Sequence, residues 1–182
     1  MSDCDPEIKK ELGLVQVYTG DGKGKTTTCL GLAFRASGRG LNVIMIKFLK
    51  PDHSYGEQVA ADMIPNFTIL PMGVDHMHSG KVSKAEDVEL TRQALLKAKE
   101  VLTSGEYDLV ILDEINNTMD KKLCSVEKVL DVLEHRAPNT EVVLSGRAVP
   151  KEIVEYADLV TEMRKIKHPF DKGIRARKGI EY

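Results

Sequence analysis

Val15-Gln16-Val17-Tyr18-Thr19-Gly20-Asp21-Gly22-Lys23-Gly24-Lys25-Thr26-Thr27-Thr28 is the stretch on which the fold turns. Leu14 to Thr19 is apolar and β-branched and reads as a strand. A glycine-rich turn follows, and the pattern Cys29-Leu30, Leu32-Ala33-Phe34 then reads as a helix opened by Lys25-Thr26-Thr27. Strand, turn and helix in that order are the setting of a phosphate-binding loop. Glycine at 20, 22 and 24 lets the backbone approach a ligand closely, and successive N–H groups converge on an anion at the positive end of the helix dipole. Lys25 supplies charge for phosphate oxygens, and the Thr26 hydroxyl is placed for Mg²⁺ or Mn²⁺. The usual spacing G-x-x-x-x-G-K-S/T would put a glycine where Thr19 stands. Here it has moved to Gly20, leaving G-x-x-x-G-K-T, which argues against ordinary γ-phosphoryl transfer. The plainer alternative is a glycine-rich turn that only packs.

Outward from the loop, strands and helices alternate. The first helix is expected over Lys25–Ser37, stopped at Gly38 and Gly40. Asn42–Phe48 is an almost continuous apolar run, as in a strand buried on both faces of a parallel sheet. Gly56–Met63 reads as a short helix and Phe67–Leu70 as a strand. Val74–Gly80 reads as a loop. Ser83-Lys84-Ala85-Glu86 has the form of a capping box, and its helix buries Ala94, Leu95, Ala98, Val101 and Leu102 before Gly105 ends it. Leu109–Leu112 is a strand running into Asp113-Glu114. A helix over Ser125–Arg136, a strand over Glu141–Ser145, a helix over Pro150–Ala157 and a strand over Leu159–Met163 complete the series, and Lys165–Tyr182 shows no period. The expected fold is α/β: a single-domain P-loop nucleotide-binding fold, with a mostly parallel sheet and helices on both faces. The domain is expected to occupy residues 14–182. Residues 1–13 are expected to form an N-terminal arm, either a frayed end or a segment that covers some other part of the molecule.

Composition narrows the function. The chain has 182 residues, 42% hydrophobic and 30% charged, which suits one globular domain. A net charge of −2 offers no field for gathering nucleic acid. No apolar run reaches membrane-spanning length, and the acidic start Met1–Asp5 is unlike a signal peptide. Cys4, Cys29 and Cys124 show neither a metal spacing nor a disulfide framework. A cytoplasmic setting is expected.

In an open parallel sheet, ligands bind beyond the carboxyl ends of the strands. The glycine loop, Lys47–Asp52, Asp113-Glu114 and Gly146-Arg147 all fall there. Asp113 or Glu114 can hold Mg²⁺ opposite Thr26, unless the pair simply ends a strand in solvent. Arg147 can brace a triphosphate or be a surface arginine. His76 and His78 lack a third ligand nearby and suit a solvated or pocket-lining role.

Together these residues resemble the P-loop cobalamin adenosyltransferases, the cob(I)yrinic acid a,c-diamide adenosyltransferase family. The resemblance rests on Gly20–Thr27, Arg35–Gly40, Leu112-Asp113-Glu114, Ser145-Gly146-Arg147, and the closing His168-Pro169-Phe170 and Gly179–Tyr182. It implies transfer of the 5′-deoxyadenosyl group of ATP to the Co(I) of a reduced corrinoid, with release of triphosphate. ATP and the corrinoid are then substrates, a flavoprotein reductant and a homodimer are implied, and neither nucleic acid nor membrane is engaged. By the same resemblance Gly20, Asp21, Gly22, Lys23, Gly24, Lys25, Thr26 and Thr27 cradle a triphosphate of reversed polarity. Thr26 and Glu114 hold Mg²⁺, Lys25, Glu114 and Arg147 carry the catalytic role, and Arg35, His168 and Phe170 support the substrates. The family's Gly-Phe-Thr-Trp, which shields the lower face of cobalt, is replaced by Gly73-Val74-Asp75-His76, in a chain without tryptophan. Either Val74, His76 or Met77 excludes water there, or the corrinoid is handled differently. Two competing readings use the same loop: a small-molecule kinase, which releases ADP, and an ATP-sensing protein without turnover.

Overall fold

The computed structural model describes residues 6–49, 55–73 and 83–182. Six strands form one sheet: β1 (Val15–Thr19), β2 (Val43–Lys47), β3 (Phe67–Pro71), β4 (Leu109–Asp113), β5 (Glu141–Ser145) and β6 (Leu159–Glu162). Their order is β3-β2-β4-β5-β1-β6, and every neighbouring pair is parallel. Helices α1 (Pro6–Lys10), α2 (Lys25–Ser37), α3 (Gly56–Ala61), α4 (Lys84–Ser104), α5 (Ile115–Asp120), α6 (Val126–Glu134) and α7 (Lys151–Tyr156) lie between and around the strands.

β2, β4 and β5 are buried along their whole length, because helices cover both faces and every side chain meets a core. Alternate residues feed two separate cores. Val15, Val17, Ile44, Ile46, Val110, Leu112, Val142 and Leu144 meet α4, α6 and α7 on one face. Val43, Met45, Leu109, Ile111 and Val143 meet Cys29, Ala33 and Ala36 of α2 on the other. Those small residues let α2 lie close to the sheet, directly behind the glycine loop. β6 is an edge strand, exposed along its length.

The capping and stripe expectations for α4 agree with the structure. The Ser83 hydroxyl accepts from the Glu86 N–H at 3.2 Å, Gly105 takes the left-handed conformation, and the expected apolar stripe is buried. The stop of α2 differs in detail: Gly38 stays helical at φ −65°, and the positive φ of 79° falls on Gly40. Helix α5, directly after Asp113-Glu114, was not anticipated. Its residues Asn116, Asn117 and Thr118 are poor helix formers; Asn116 and Asn117 are held by bonds to Gly146 and Arg147, and the Thr118 hydroxyl by the Ile115 carbonyl of its own turn. Ile8 and Leu12 pack against the α2-side core, while Lys9 reaches Asp108 at 2.8 Å. No described helix is long and apolar enough to cross a membrane.

Register lines up the carboxyl ends. Lys47 stands opposite Asp113, Tyr18 opposite Ser145, and Thr19 opposite Glu162. The carboxyl ends of β1, β2, β4 and β5 therefore lie along one edge of the sheet.

Candidate active site

At that edge lies a cavity of about 510 Å³, floored by Asp21–Thr27 and Leu30, with Glu114 and Arg147 on one side. Tyr55–Glu57, His168 and Gly179–Tyr182 make the rest of its lining.

The glycines earn their places differently from the sequence expectation. Gly20 sits at φ 97°, and a Cβ there would lie 2.4 Å from the Met163 carbonyl oxygen. One on Gly22 would lie 2.7 Å from the same oxygen, which the Gly22 N–H already engages at 2.6 Å. So the backbone after β6, rather than a ligand, demands glycine at both positions. Gly24, at φ 122°, delivers the chain into α2. Its following residues Lys25, Thr26 and Thr27 point their helix N-terminus into the cavity, where an anion is favoured.

The Lys25 ammonium folds back onto the carbonyls of Gly20 and Gly22 at 2.8 and 2.9 Å. Burial, and then the charge of Arg147, push it below the ordinary lysine range. A half-buried cation held by neutral carbonyls beside a second cation is poised to accept an anion. Lys23 instead reaches Glu181, at 2.6 Å.

Behind the loop, β4 delivers Asp113, wholly buried, to a small oxygen network. Its Oδ1 accepts from the Thr26 hydroxyl at 3.0 Å and from the Ser145 hydroxyl at 2.6 Å. The Ser145 oxygen accepts in turn from the Glu114 N–H at 3.1 Å. Glu114 takes a left-handed turn, φ 68°, at the start of α5, and its carboxylate accepts from Asn117 Nδ2. The Asn117 side-chain oxygen also accepts from the Arg147 N–H at 2.6 Å, tying the loops after β4 and β5 together. Thr26, Asp113 and Glu114 thus present hydroxyl and carboxylate oxygens, the donor set Mg²⁺ takes. Among the described residues, no cluster of three or more His, Cys, Asp or Glu side chains forms a metal site.

The opposite wall is built from side chains. Lys47, almost fully buried, pairs with Glu57 at 2.7 Å and lies 4.4 Å from the centre of the Tyr55 ring. Tyr182 meets Tyr55 edge to face, with ring centres 6.3 Å apart. The cation and the two rings stiffen this wall.

Of the residues singled out in the sequence, Asp21, Gly22, Lys23, Gly24, Lys25, Thr26, Thr27, Glu114, Arg147 and His168 line the cavity. Gly20 lies beneath it through its carbonyl, and Asp113 behind it through Thr26. Arg35 is not brought there. It occupies the last turn of α2, about 15 Å along the helix from Lys25, in a separate hollow with Phe34 and Arg39. Phe170, in a 3-10 turn over Pro169–Lys172, is 75% exposed and does not line the cavity, although its N–H bonds the His168 ring. Val74, His76 and Met77 lie outside the described residues, as does His78. Tyr55, Glu57 and Asn117 escaped sequence reasoning. A tyrosine ahead of Gly56-Glu57 and an asparagine pair after Asp113-Glu114 were the available signals.

Residues 11–182 match the model of the family described as ATP:corrinoid adenosyltransferase BtuR/CobO/CobP. A corrinoid adenosyltransferase of a Sinorhizobium species is 36% identical over 94% of this chain and 81% of its own length. The corrinoid adenosyltransferase of Escherichia coli K12 is 33% identical over 97% of this chain and 89% of its own. That of Salmonella typhimurium LT2, CobA, is 32% identical over the same shares, 97% and 89%. A crystal structure of the flagellar accessory protein FlaH from Methanocaldococcus jannaschii superposes with a TM-score of 0.55, covering 89% of this chain and 77% of that one. At 12% identity that likeness concerns the fold alone.

Proposed function

This chain belongs to the ATP:corrinoid adenosyltransferase family, and we infer that its cavity holds ATP by the triphosphate while the Co(I) of a reduced corrinoid attacks the ribose C5′. The observation that carries the reading is the contact of Thr26 with Asp113. It joins a glycine loop of shortened spacing to the Asp113 carboxylate, behind a cavity lined by Glu114 and Arg147.

The chemistry asks little of acid–base groups. Co(I) is itself the nucleophile, so no side chain has to be deprotonated. The C5′–O bond breaks, its electron pair leaves with the triphosphate, and the new bond joins C5′ to cobalt. What the protein supplies is alignment and stabilisation of charge on the departing phosphate. Lys23, Lys25, Arg147 and the N–H groups that open α2 supply positive potential for that charge. The shortened loop supports a triphosphate of reversed polarity, with its sugar turned toward the corrinoid. Thr26, Asp113 and Glu114 would hold Mg²⁺, which when bound neutralises phosphate charge. His168 contributes to the cavity wall.

The wider assignments rest on the family reading. A flavoprotein donor reduces the corrinoid, two copies form the working unit, and the setting is the cytoplasm. Residues 14–182 make up the catalytic domain and residues 1–13 an arm.

The test is anaerobic mixing of the protein with ATP, Mg²⁺ and chemically reduced cobalamin, followed by the corrinoid absorbance. The expected result is conversion to the adenosylated spectrum, suppressed in Lys25→Ala and in Glu114→Ala. Full activity in both variants would overturn the residue assignment.

A further inference from the structure

The two lysines of the loop are parked on different partners. Lys25 rests on neutral carbonyls, which give way to an anion at small cost. Lys23 rests on the Glu181 carboxylate, which lines the same cavity and is itself only 20% exposed.

Glu181 does not depend on Lys23. It sits in a compact turn in which the Glu181 N–H and the Ile180 N–H both bond the Arg177 carbonyl, at 2.9 and 3.2 Å. Arg177 grips its carboxylate through the backbone N–H at 2.7 Å, Nη2 at 3.1 Å and Nε at 3.2 Å. These bonds, first from Arg177 and then from Lys23, hold the Glu181 carboxyl at about 2. It is therefore an anion throughout the neutral range. When the Lys23 ammonium turns toward another anion, Glu181 keeps a charged partner, so the exchange strands no carboxylate.

We propose that Glu181 is a resident anion that competes with triphosphate for Lys23, and so promotes release of the triphosphate left by adenosyl transfer. This rests on the functional reading above. Breaking the C5′–O bond turns the ester oxygen of the α-phosphate into a free phosphate oxygen. The product therefore carries more negative charge than the same three phosphates carried within ATP. A cradle of two lysines, an arginine and a helix N-terminus holds such a product more tightly than the substrate. A fixed carboxylate beside one lysine works against that, by competing with the product for Lys23 and keeping Lys23 partnered once the product has gone. Lys23 is partly exposed, so the effect is modest.

The test is calorimetric titration of the full chain with inorganic triphosphate and, separately, with ATP, at fixed Mg²⁺ and low salt. Glu181→Gln should bind triphosphate about threefold to tenfold more tightly than the wild type. It should be inhibited more strongly by triphosphate in the adenosylation assay, and should gain less for ATP. Glu181→Asp, which keeps the charge, should behave as wild type. In a Lys23→Ala background, Glu181→Gln should change nothing. Unchanged or weaker triphosphate binding in Glu181→Gln would overturn the proposal, as would a gain that persists without Lys23. The titration needs no corrinoid. A wild type that binds triphosphate but forms no adenosylated product therefore refutes the functional reading, while the competition of Glu181 for Lys23 is still scored by its own arm.

Discussion

The two walls of the cavity are made by different means. The loop wall, from Gly20 through Thr26 to Asp113, Ser145 and Arg147, is placed by backbone, with buried strands in register, glycines pressed on the Met163–Arg164 chain and a helix end, and the Thr26–Asp113–Ser145 hydrogen bonds lock it from behind. The facing wall, Tyr55–Glu57 with Arg177–Tyr182, is held by ion pairs and one aromatic edge. In the proposed reading the first wall fixes where phosphates go. The second is a set of side-chain contacts that can exchange partners, as Lys23 and Glu181 do. A site that must grip ATP and then let triphosphate go gains from having one wall of each kind.

The sharpest break of this contrast is Lys25→Ala on the loop wall. Removing one preorganised charge from the leaving phosphate should lower turnover about 10²- to 10³-fold, read from the adenosylation rate, with the melting temperature nearly unchanged. Glu57→Gln on the facing wall should do the reverse. It leaves the buried Lys47 ammonium without its carboxylate and should lower unfolding stability by about 3 kcal/mol, measured by denaturant melts. Gly20→Ala should fall between. Its positive φ and the nearby Met163 oxygen should lower stability by about 1–3 kcal/mol and weaken ATP binding as well, because the loop shifts as a unit. A glycine variant that lost ATP affinity at full stability would show that the loop wall is not backbone-held.

The smallest effect is in pH. Burial first, and then Arg147, depress Lys25 below its ordinary value of 10.5. Losing that proton removes a positive charge that phosphate needs, so ATP affinity should decline as pH rises. The decline should begin below the ordinary lysine range. Arg147→Gln removes the repelling neighbour and should move the onset to higher pH, even as it weakens binding overall. An onset unmoved by Arg147→Gln would separate the two groups.

The same contrast decides what could be read in advance. The loop wall is local: strand, glycines, Lys25 and Thr26 are contiguous, and apolar runs announced β2, β4 and β5 and so placed Asp113 and Arg147 at their ends. The facing wall joins residues far apart in the chain. Nothing near Tyr55 indicates Tyr182, and nothing near Lys23 indicates Glu181. Helix α5 was hidden because Asn116 and Asn117 carry no helical pattern and are held by bonds to Gly146 and Arg147. Arg35 sits within a family-like stretch, yet helix length alone carries it to the far end of α2 from the glycine loop.

The central claim is that the cradle presents C5′, and not the terminal phosphorus, to the attacking atom. Phosphorus NMR of an anaerobic reaction with ATP, Mg²⁺ and reduced cobalamin tests it most directly. The account requires inorganic triphosphate in equal amount to adenosylated cobalamin, with no ADP. ADP as the phosphorus product, with the corrinoid spectrum unchanged, would contradict it.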